Sequence, residues 1–228
     1  MPIRIGTRSS NLAMWQARTV ASALNEAGIE TEIVQFKSMG DRSLGGNLSA
    51  TVGQFIHLID QKLNEGLIDI AVHSSKDVPT TPNDAIANLA YMERDTTSDL
   101  ILFKRQNDDA SLYEVLDDDT NTSLSDLLKR VKHGSTFGTV SGRRQSLLLS
   151  QRPDLIPLSV RGHVETRIER LIEGRVDALI LAEAGICRLR TTGVLDEHNE
   201  HLTAYRISSD DWPTAPGQGT VCIHCKSE

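Results

Sequence analysis

The residues best suited to chemistry stand in four short segments, each at the point where a predicted strand leads into a helix or turn. These are residues 6–13, 73–79, 138–145 and 161–167. In α/β proteins, ligand sites form at such strand ends. The four segments are therefore the candidate functional sites of this chain.

Arginines and hydroxyl groups dominate three of these segments. Arg8 precedes a helix whose free backbone N–H groups favour an anion, although local sequence alone somewhat favours a capped helix with a surface arginine. Arg143 and Arg144 begin another helix, where two positive charges oppose the helix dipole unless an anion neutralises them. Arginine binds carboxylates through paired hydrogen bonds, so a convergent set suits a polycarboxylate ligand. The arginines at or near such junctions are Arg8, Arg143, Arg144, Arg161, Arg167 and Arg188.

The remaining segment places Lys76 and Asp77 directly after a nearly continuous apolar strand. A carboxylate beside a cation can stabilise charge that develops in a reaction. A surface turn with an ion pair worth less than about 1 kcal/mol explains the same residues. Local sequence leaves both interpretations open.

Composition narrows the class of protein. The net charge is -7 and the pI is about 5.5, which disfavours general nucleic-acid binding because phosphate contacts need a basic face. No apolar run approaches the roughly 20 residues of a membrane span. The N-terminus lacks the apolar stretch of a signal peptide. We expect a cytoplasmic protein without a nucleic-acid or membrane partner.

The cysteines and the acidic residues give weak signals for a metal site. Cys222 and Cys225 form a C-x-x-C motif, which indicates either a metal or redox site or two thiols at the end of a strand. A zinc site of this type would require a second pair. Residues 106–122 are rich in aspartate and predict a solvated surface loop, since they lack the pattern of an EF-hand. We therefore expect no metal.

The elements that must position these residues alternate between strand and helix. Apolar periodicity and capping signals predict strands at residues 3–6, 31–36, 68–72, 136–139, 158–160 and 178–181. They predict helices that begin near Ser10, Phe55, Ser123, Arg143 and Val164. Ser123 and Asp126 resemble a capping box. Repeated βα units predict parallel sheets covered by helices, here in two α/β domains with a cleft between them.

Taken together, the motifs resemble those of the porphobilinogen deaminase (hydroxymethylbilane synthase) family. The resemblance covers nearly the whole chain in the family's order, at residues 4–17, 69–80, 138–145, 160–167, 181–189 and 215–219. It implies an α/β fold with two domains of the type II periplasmic-binding-protein kind and an interdomain cleft. The implied domains are residues 1–99 plus 200–228, and residues 100–199.

The resemblance also implies a reaction, the head-to-tail condensation of four porphobilinogen units with release of ammonia in tetrapyrrole (haem) biosynthesis. Asp77 matches the family's catalytic aspartate, which would stabilise the cation left when ammonia departs. The residues matching substrate-binding or cofactor-binding positions are Arg8, Ser10, Phe55, Lys76, Thr139, Ser141, Arg143, Arg144, Arg161, Arg167, Arg188 and Gln218.

The sequence departs from the family pattern in several places, among them Gly142 in place of a usual leucine and an aspartate-rich loop at residues 107–119 that looks inserted. The family primes its reaction with a dipyrromethane cofactor linked to a cysteine of a third domain, and that cysteine has no counterpart here. The stretch at residues 48–55 lacks the usual lysines. Two hypotheses follow. The first is a working deaminase, expected as a monomer, which is either a compact natural form or the first two domains of a longer product, with a separate third-domain partner as a further option. The second is a non-catalytic homologue that binds a carboxylate-rich pyrrole or another anion in the cleft.

Overall fold

A computed structural model describes residues 1–36, 54–81, 83–106, 108–118, 120–210 and 212–227. The side chains of Gln54 and Phe55 are outside this description. The predicted role of Phe55 and the altered stretch at 48–55 therefore lie outside the described residues. No helix in the described part of the chain has the length and apolar character needed to cross a membrane.

The chain forms two compact α/β units. Unit 1 comprises Met1–Asp95 and Pro216–Glu228, and unit 2 comprises Thr96–Ala215. The predicted domain boundaries differ, because they assign residues 200–215 to the first domain. In the structure this stretch lies in unit 2, since it supplies a strand to the sheet of that unit and the fully buried Trp212 to its core.

Unit 1 is built on a five-stranded sheet in the order β2-β1-β3-β10-β4. Its strands are β1 (Ile3–Arg8), β2 (Thr31–Phe36), β3 (Ile70–Ser74), β4 (Ile86–Tyr91) and β10 (Val221–Lys226), and its helices are α1 (Asn11–Glu26) and α2 (Gln54–Asn64). β1 runs parallel to β2 and β3, whereas β10 runs antiparallel to β3 and β4. The expectation of a wholly parallel sheet is therefore wrong at β10, which joins from the far end of the chain and not through a βαβ crossover.

The core of unit 1 explains how β3 is held in place. Ala17 and Val20 of α1 pack with Ile5 and Val72 of the sheet, and α2 packs its own apolar stripe against the sheet at Ile68 and Ala71. This approach is close at Gly6, where a Cβ would lie 2.1 Å from Ile68 Cδ1. The strand that precedes Asp77 is thus fixed by packing on both faces, as its continuous apolar sequence predicts.

Unit 2 has a five-stranded sheet in the order β7-β6-β8-β5-β9. Its strands are β5 (Asp99–Lys104), β6 (Thr136–Gly138), β7 (Ile156–Leu158), β8 (Ala178–Ala182) and β9 (Leu202–Arg206). Its helices are α3 (Leu112–Asp117), α4 (Leu124–Lys129), α5 (Gly142–Gln151), α6 (Val164–Ile172), α7 (Glu183–Arg190) and α8 (Asp196–Asn199). β5 is antiparallel to both neighbours, so this sheet is also mixed.

The aspartate-rich stretch differs from its prediction. It contains α3, whose N-terminus is closed by a capping box between Ser111 and Glu114 and whose Leu112 is fully buried. The capping box predicted at Ser123 is wrong, because this residue caps α4 without a side-chain hydrogen bond. The many aspartates favoured the prediction of a loop, although the helix begins at an ordinary Ser-x-x-Glu capping pattern.

Candidate functional site

The predicted catalytic carboxylate lies just beyond the end of β3. A 3₁₀ turn over Ser75–Asp77 follows the strand directly. Its entry is fixed by two hydrogen bonds, from Gln16 Nε2 to Ser74 Oγ (2.8 Å) and from Ser75 N to Thr220 O (2.9 Å). Asp77 itself is exposed. The chain therefore holds the backbone of this turn while presenting the carboxylate to solvent.

The segment that follows residue 215 packs closely on the same turn. Gly217 has a φ of +71°, and a Cβ there would lie 2.7 Å from Ser75 Oγ, so glycine is needed for both reasons. The side chain of Gln218 is buried and accepts a hydrogen bond from Lys76 Nζ at 3.4 Å. The structure thus brings Lys76, Asp77 and Gln218 together, although 142 residues separate the two hydrogen-bonded residues.

Arg8 and Ser10 lie at the neighbouring strand end. β1 and β3 are parallel neighbours, so their carboxyl ends share one edge of the sheet. Ser10 is the N-cap of α1, and its hydroxyl accepts a hydrogen bond from Ala13 N at 3.3 Å. Arg8 is the last residue of β1 and is partly exposed. Unit 1 therefore places two predicted site segments side by side.

In unit 2, Thr139 and Ser141 build the start of α5. Thr139 Oγ1 accepts a hydrogen bond from Ser141 N at 3.2 Å, and Ser141 Oγ accepts one from Arg144 N at 3.5 Å. The preceding Gly138 lets the strand approach its neighbours closely, since a Cβ there would lie 2.9 Å from Val160 Cγ2. These contacts fix the backbone at the N-terminus of α5, where N–H groups favour anions.

The two arginines of α5 have an internal anion. Asp99 is completely buried, and it accepts hydrogen bonds from Arg144 Nε (3.0 Å), Arg143 Nη2 (3.0 Å) and Trp212 Nε1 (2.8 Å). Arg144 also donates to Ile180 O (3.0 Å). The anion that the sequence predicts at this helix start is supplied, at least in part, by Asp99 of the chain itself. Nothing in the sequence pattern had pointed to Asp99. Arg144 as placed is buried and hydrogen-bonded within unit 2, and its part in ligand binding stays a prediction.

Arg143 differs from Arg144 in exposure. Its side chain is 25% exposed, and its second contact is a 2.6 Å hydrogen bond from Nη1 to Pro213 O. The guanidinium is thus anchored but accessible. It remains a candidate for ligand binding.

The other predicted arginines stand at separate points of unit 2. Arg161 is exposed before α6. Arg167 lies on α6 and donates from Nε to Gly162 O at 2.7 Å. Arg188 lies on α7 and is buried. The structure gives the position of each one within the unit, and the assignment of all three to a ligand remains a prediction.

Sequence reasoning missed a buried cluster in unit 1. Asp60 of α2 accepts hydrogen bonds on one carboxylate oxygen from His73 Nε2 (2.9 Å) and His224 Nδ1 (3.2 Å). Burial acts to raise the pKa of Asp60, but the two imidazoles outweigh it and lower that pKa to about 2. Burial also lowers the pKa of His73. The result is a buried, ionised Asp60 carboxylate in contact with two imidazole rings.

Comparison with solved structures defines the class of fold. The chain resembles the VFT2 domain of Bordetella pertussis BvgS with a TM-score of 0.57 and 12% identity, over 98% of this chain and 80% of that one. It resembles a mutant OxyR of Corynebacterium glutamicum with a TM-score of 0.55 and 15% identity, over 100% and 59%. These likenesses concern the fold alone. With two five-stranded mixed sheets, the chain is an α/β protein of the type II periplasmic-binding-protein kind.

Sequence comparison identifies the family. A family model described as "Porphobilinogen deaminase, dipyromethane cofactor binding domain" matches residues 3–228. The chain is 36% identical to a probable porphobilinogen deaminase of Methanosarcina barkeri over 227 residues and to a porphobilinogen deaminase of Geobacter sulfurreducens over 228 residues. The chain belongs to the porphobilinogen deaminase family. Each alignment covers 98% of this chain but 63% of the relative.

Proposed function

We propose that this chain carries out hydroxymethylbilane synthesis, joining four porphobilinogen units head to tail with release of ammonia. One observation carries the proposal: Asp77 is exposed on a turn whose backbone is held by the 216–219 segment and by β3. Membership of the family, over residues 3–228, gives that carboxylate its chemical context.

The proposed role of Asp77 follows from the charge that the reaction creates. Loss of ammonia from the aminomethyl group leaves a positive charge shared with the pyrrole nitrogen. A fixed carboxylate near the pyrrole N–H stabilises that charge as it develops. Lys76, held by Gln218, supplies a neighbouring cation that suits a substrate carboxylate.

Recognition of porphobilinogen is proposed to rest on its acetate and propionate groups. Guanidinium groups bind carboxylates in paired, charge-assisted hydrogen bonds of about 1.5–3 kcal/mol each. We leave Arg144 out because its donors are bound to Asp99 and Ile180 O. The proposed ligand-binding residues are Arg8, Ser10, Lys76 and Gln218 in unit 1 and Thr139, Ser141, Arg143, Arg161, Arg167 and Arg188 in unit 2.

The same donor set fits the family's dipyrromethane, whose side chains are also carboxylates. The start of α5 offers Ser141, the accessible guanidinium of Arg143 and backbone N–H groups, which is a chemistry for anions. A bound dipyrromethane would supply the carbon to which the first porphobilinogen is joined. The chain's own residues would hold the carboxylates, and Asp77 would face the reacting pyrrole.

The test is turnover of porphobilinogen by matched carboxylate variants. Asp77→Asn keeps the shape of the side chain and removes its charge, so we expect porphobilinogen consumption to fall by at least about 100-fold, as for loss of one electrostatic catalytic group. Asp84→Asn, at an exposed carboxylate of the same unit, should keep wild-type turnover.

Binding separates the two candidate functions. If Asp77→Asn binds porphobilinogen but does not consume it, the carboxylate acts in the reaction as proposed. If wild type and Asp77→Asn both bind porphobilinogen and neither consumes it, the chain is a binding protein and the proposed reaction is wrong.

A further inference from the structure

The buried cluster in unit 1 has the composition of a metal site. Its members are Asp60 on α2, His73 on β3 and His224 on β10, and each is at most 8% exposed at its side chain. One ligating atom from each lies within 4.8 Å of the others. We propose that these three side chains bind a divalent transition-metal ion of the zinc type, although the sequence alone predicted no metal.

The distances between the ligating atoms suit such an ion. Zinc binds histidine nitrogen and carboxylate oxygen at about 2.0–2.2 Å in a tetrahedral arrangement, which places neighbouring ligand atoms about 3.3–3.5 Å apart. Asp60 Oδ1 lies 2.9 Å from His73 Nε2 and 3.2 Å from His224 Nδ1. Adjustments of a few tenths of an ångström would bring these two pairs to the required spacing, and one ligating nitrogen of each histidine lies within 4.8 Å of the other. The second oxygen of Asp60 or a water molecule can take the fourth position.

The ligand types select the class of metal. Magnesium and calcium prefer all-oxygen sites, whereas imidazole nitrogen suits zinc, copper, nickel and iron. Imidazole binds metals in its neutral form, so in the metal-bound site the carboxylate would be the only formal charge among the three ligands. A divalent cation would compensate that buried negative charge, which is costly to leave without a partner.

Cys222 belongs outside the coordination sphere. Its Sγ lies 3.9 Å from His224 Nε2, the ring nitrogen that faces away from Asp60, and 3.6 Å from His73 O. Histidines that bind metals commonly use their far nitrogen for an outer hydrogen bond, which fixes the ring orientation. The thiol therefore orients His224, and the C-x-x-C motif does not chelate the ion.

The proposed ion would act as a structural clamp. Its ligands come from three elements, and His73 immediately precedes Ser74, the last residue of the strand that leads to Asp77. Binding would tie α2 and β10 to this strand. The inference does not rest on the proposed reaction, because its test measures metal and not turnover.

Zinc content after equilibrium dialysis tests the site. We expect wild-type protein to retain one zinc ion per chain, and His224→Gln to bind zinc at least tenfold more weakly. His201→Gln, at an exposed histidine, and Cys225→Ser should bind as wild type does. No zinc on the wild type, or equal affinity in His224→Gln, would overturn the proposal and leave a purely hydrogen-bonded cluster.

Cobalt substitution gives a second readout that does not depend on a variant folding. Cobalt in the wild-type protein should show visible bands typical of nitrogen and oxygen ligands, without a thiolate charge-transfer band in the near ultraviolet. A thiolate band would place the ion on Cys222 or Cys225 and would contradict the proposed ligand set.

Discussion

Asp99 is the acceptor for one of the buried ion-pair clusters of unit 2. Its two oxygens accept hydrogen bonds from Arg143, Arg144 and Trp212, and none of its side chain is exposed. Removing one partner of a buried ion pair leaves an uncompensated charge, which costs more than the pair itself contributes. Asp99 therefore contributes to the stability of this unit, and it also holds the guanidinium of Arg143 in position.

The first prediction concerns the free energy of unfolding. Asp99→Ala leaves two guanidinium groups and an indole N–H without their acceptor, so we expect a loss of about 3–5 kcal/mol. Urea denaturation followed by circular dichroism measures it. Asp126→Ala is the control, because this exposed carboxylate pairs with the exposed Lys129 and its removal should change stability by about 0.5 kcal/mol or less. A loss below about 1 kcal/mol for Asp99→Ala would refute the account.

The second prediction concerns the thiols. Burial raises the pKa of Cys222 to about 12, so the reactive thiolate is scarce at neutral pH. Cys225 is partly exposed and should react faster. In native protein, Cys222→Ala should leave the number of rapidly reacting thiols unchanged, whereas Cys225→Ala should reduce it by one. The opposite pattern would show that Cys222 is accessible.

At the scale of elements, the sequence predicts those whose partners are local. The spacing of apolar residues and the cap at Ser10 predict α1, and β2 has the predicted bounds, Thr31–Phe36. The predicted strands do not include β4, β5, β9 or most of β10. The register of β5, β9 and β10 depends on antiparallel neighbours far away in the sequence, which local patterns do not specify. Helix α3 is a different case, because its capping box is a local signal. The aspartate-rich composition of the surrounding stretch led to the prediction of a loop instead.

The third prediction tests the packing of helix α2 on strand β1. A methyl group at Gly6 would lie 2.1 Å from Ile68 Cδ1 and 3.2 Å from Ile59 Cγ2. Gly6→Ala should therefore destabilise the protein by about 1–3 kcal/mol, as overpacking does. Gly142→Ala is the matched control, because a Cβ there meets no atom within 4 Å. Thermal unfolding compares the two, and equal melting temperatures would contradict this packing.

At the scale of the whole molecule, unit 1 is assembled from both ends of the chain. The sequence predicts that Arg8, Asp77 and Ser141 lie where strands end, and the structure places them there; their role in a site stays a prediction. It does not predict the Asp60 cluster, whose histidines lie 13 and 164 residues from the carboxylate. Contacts of that range follow from strand order, which local patterns do not encode.

The central claim is that this chain deaminates porphobilinogen, and release of ammonia tests it most directly. Purified protein would be incubated with porphobilinogen while ammonia and remaining substrate are both measured. The account predicts one ammonia for each porphobilinogen consumed, with a tetrapyrrole product that gives uroporphyrin after oxidation. Absence of ammonia release, whether or not porphobilinogen binds, would contradict the claim.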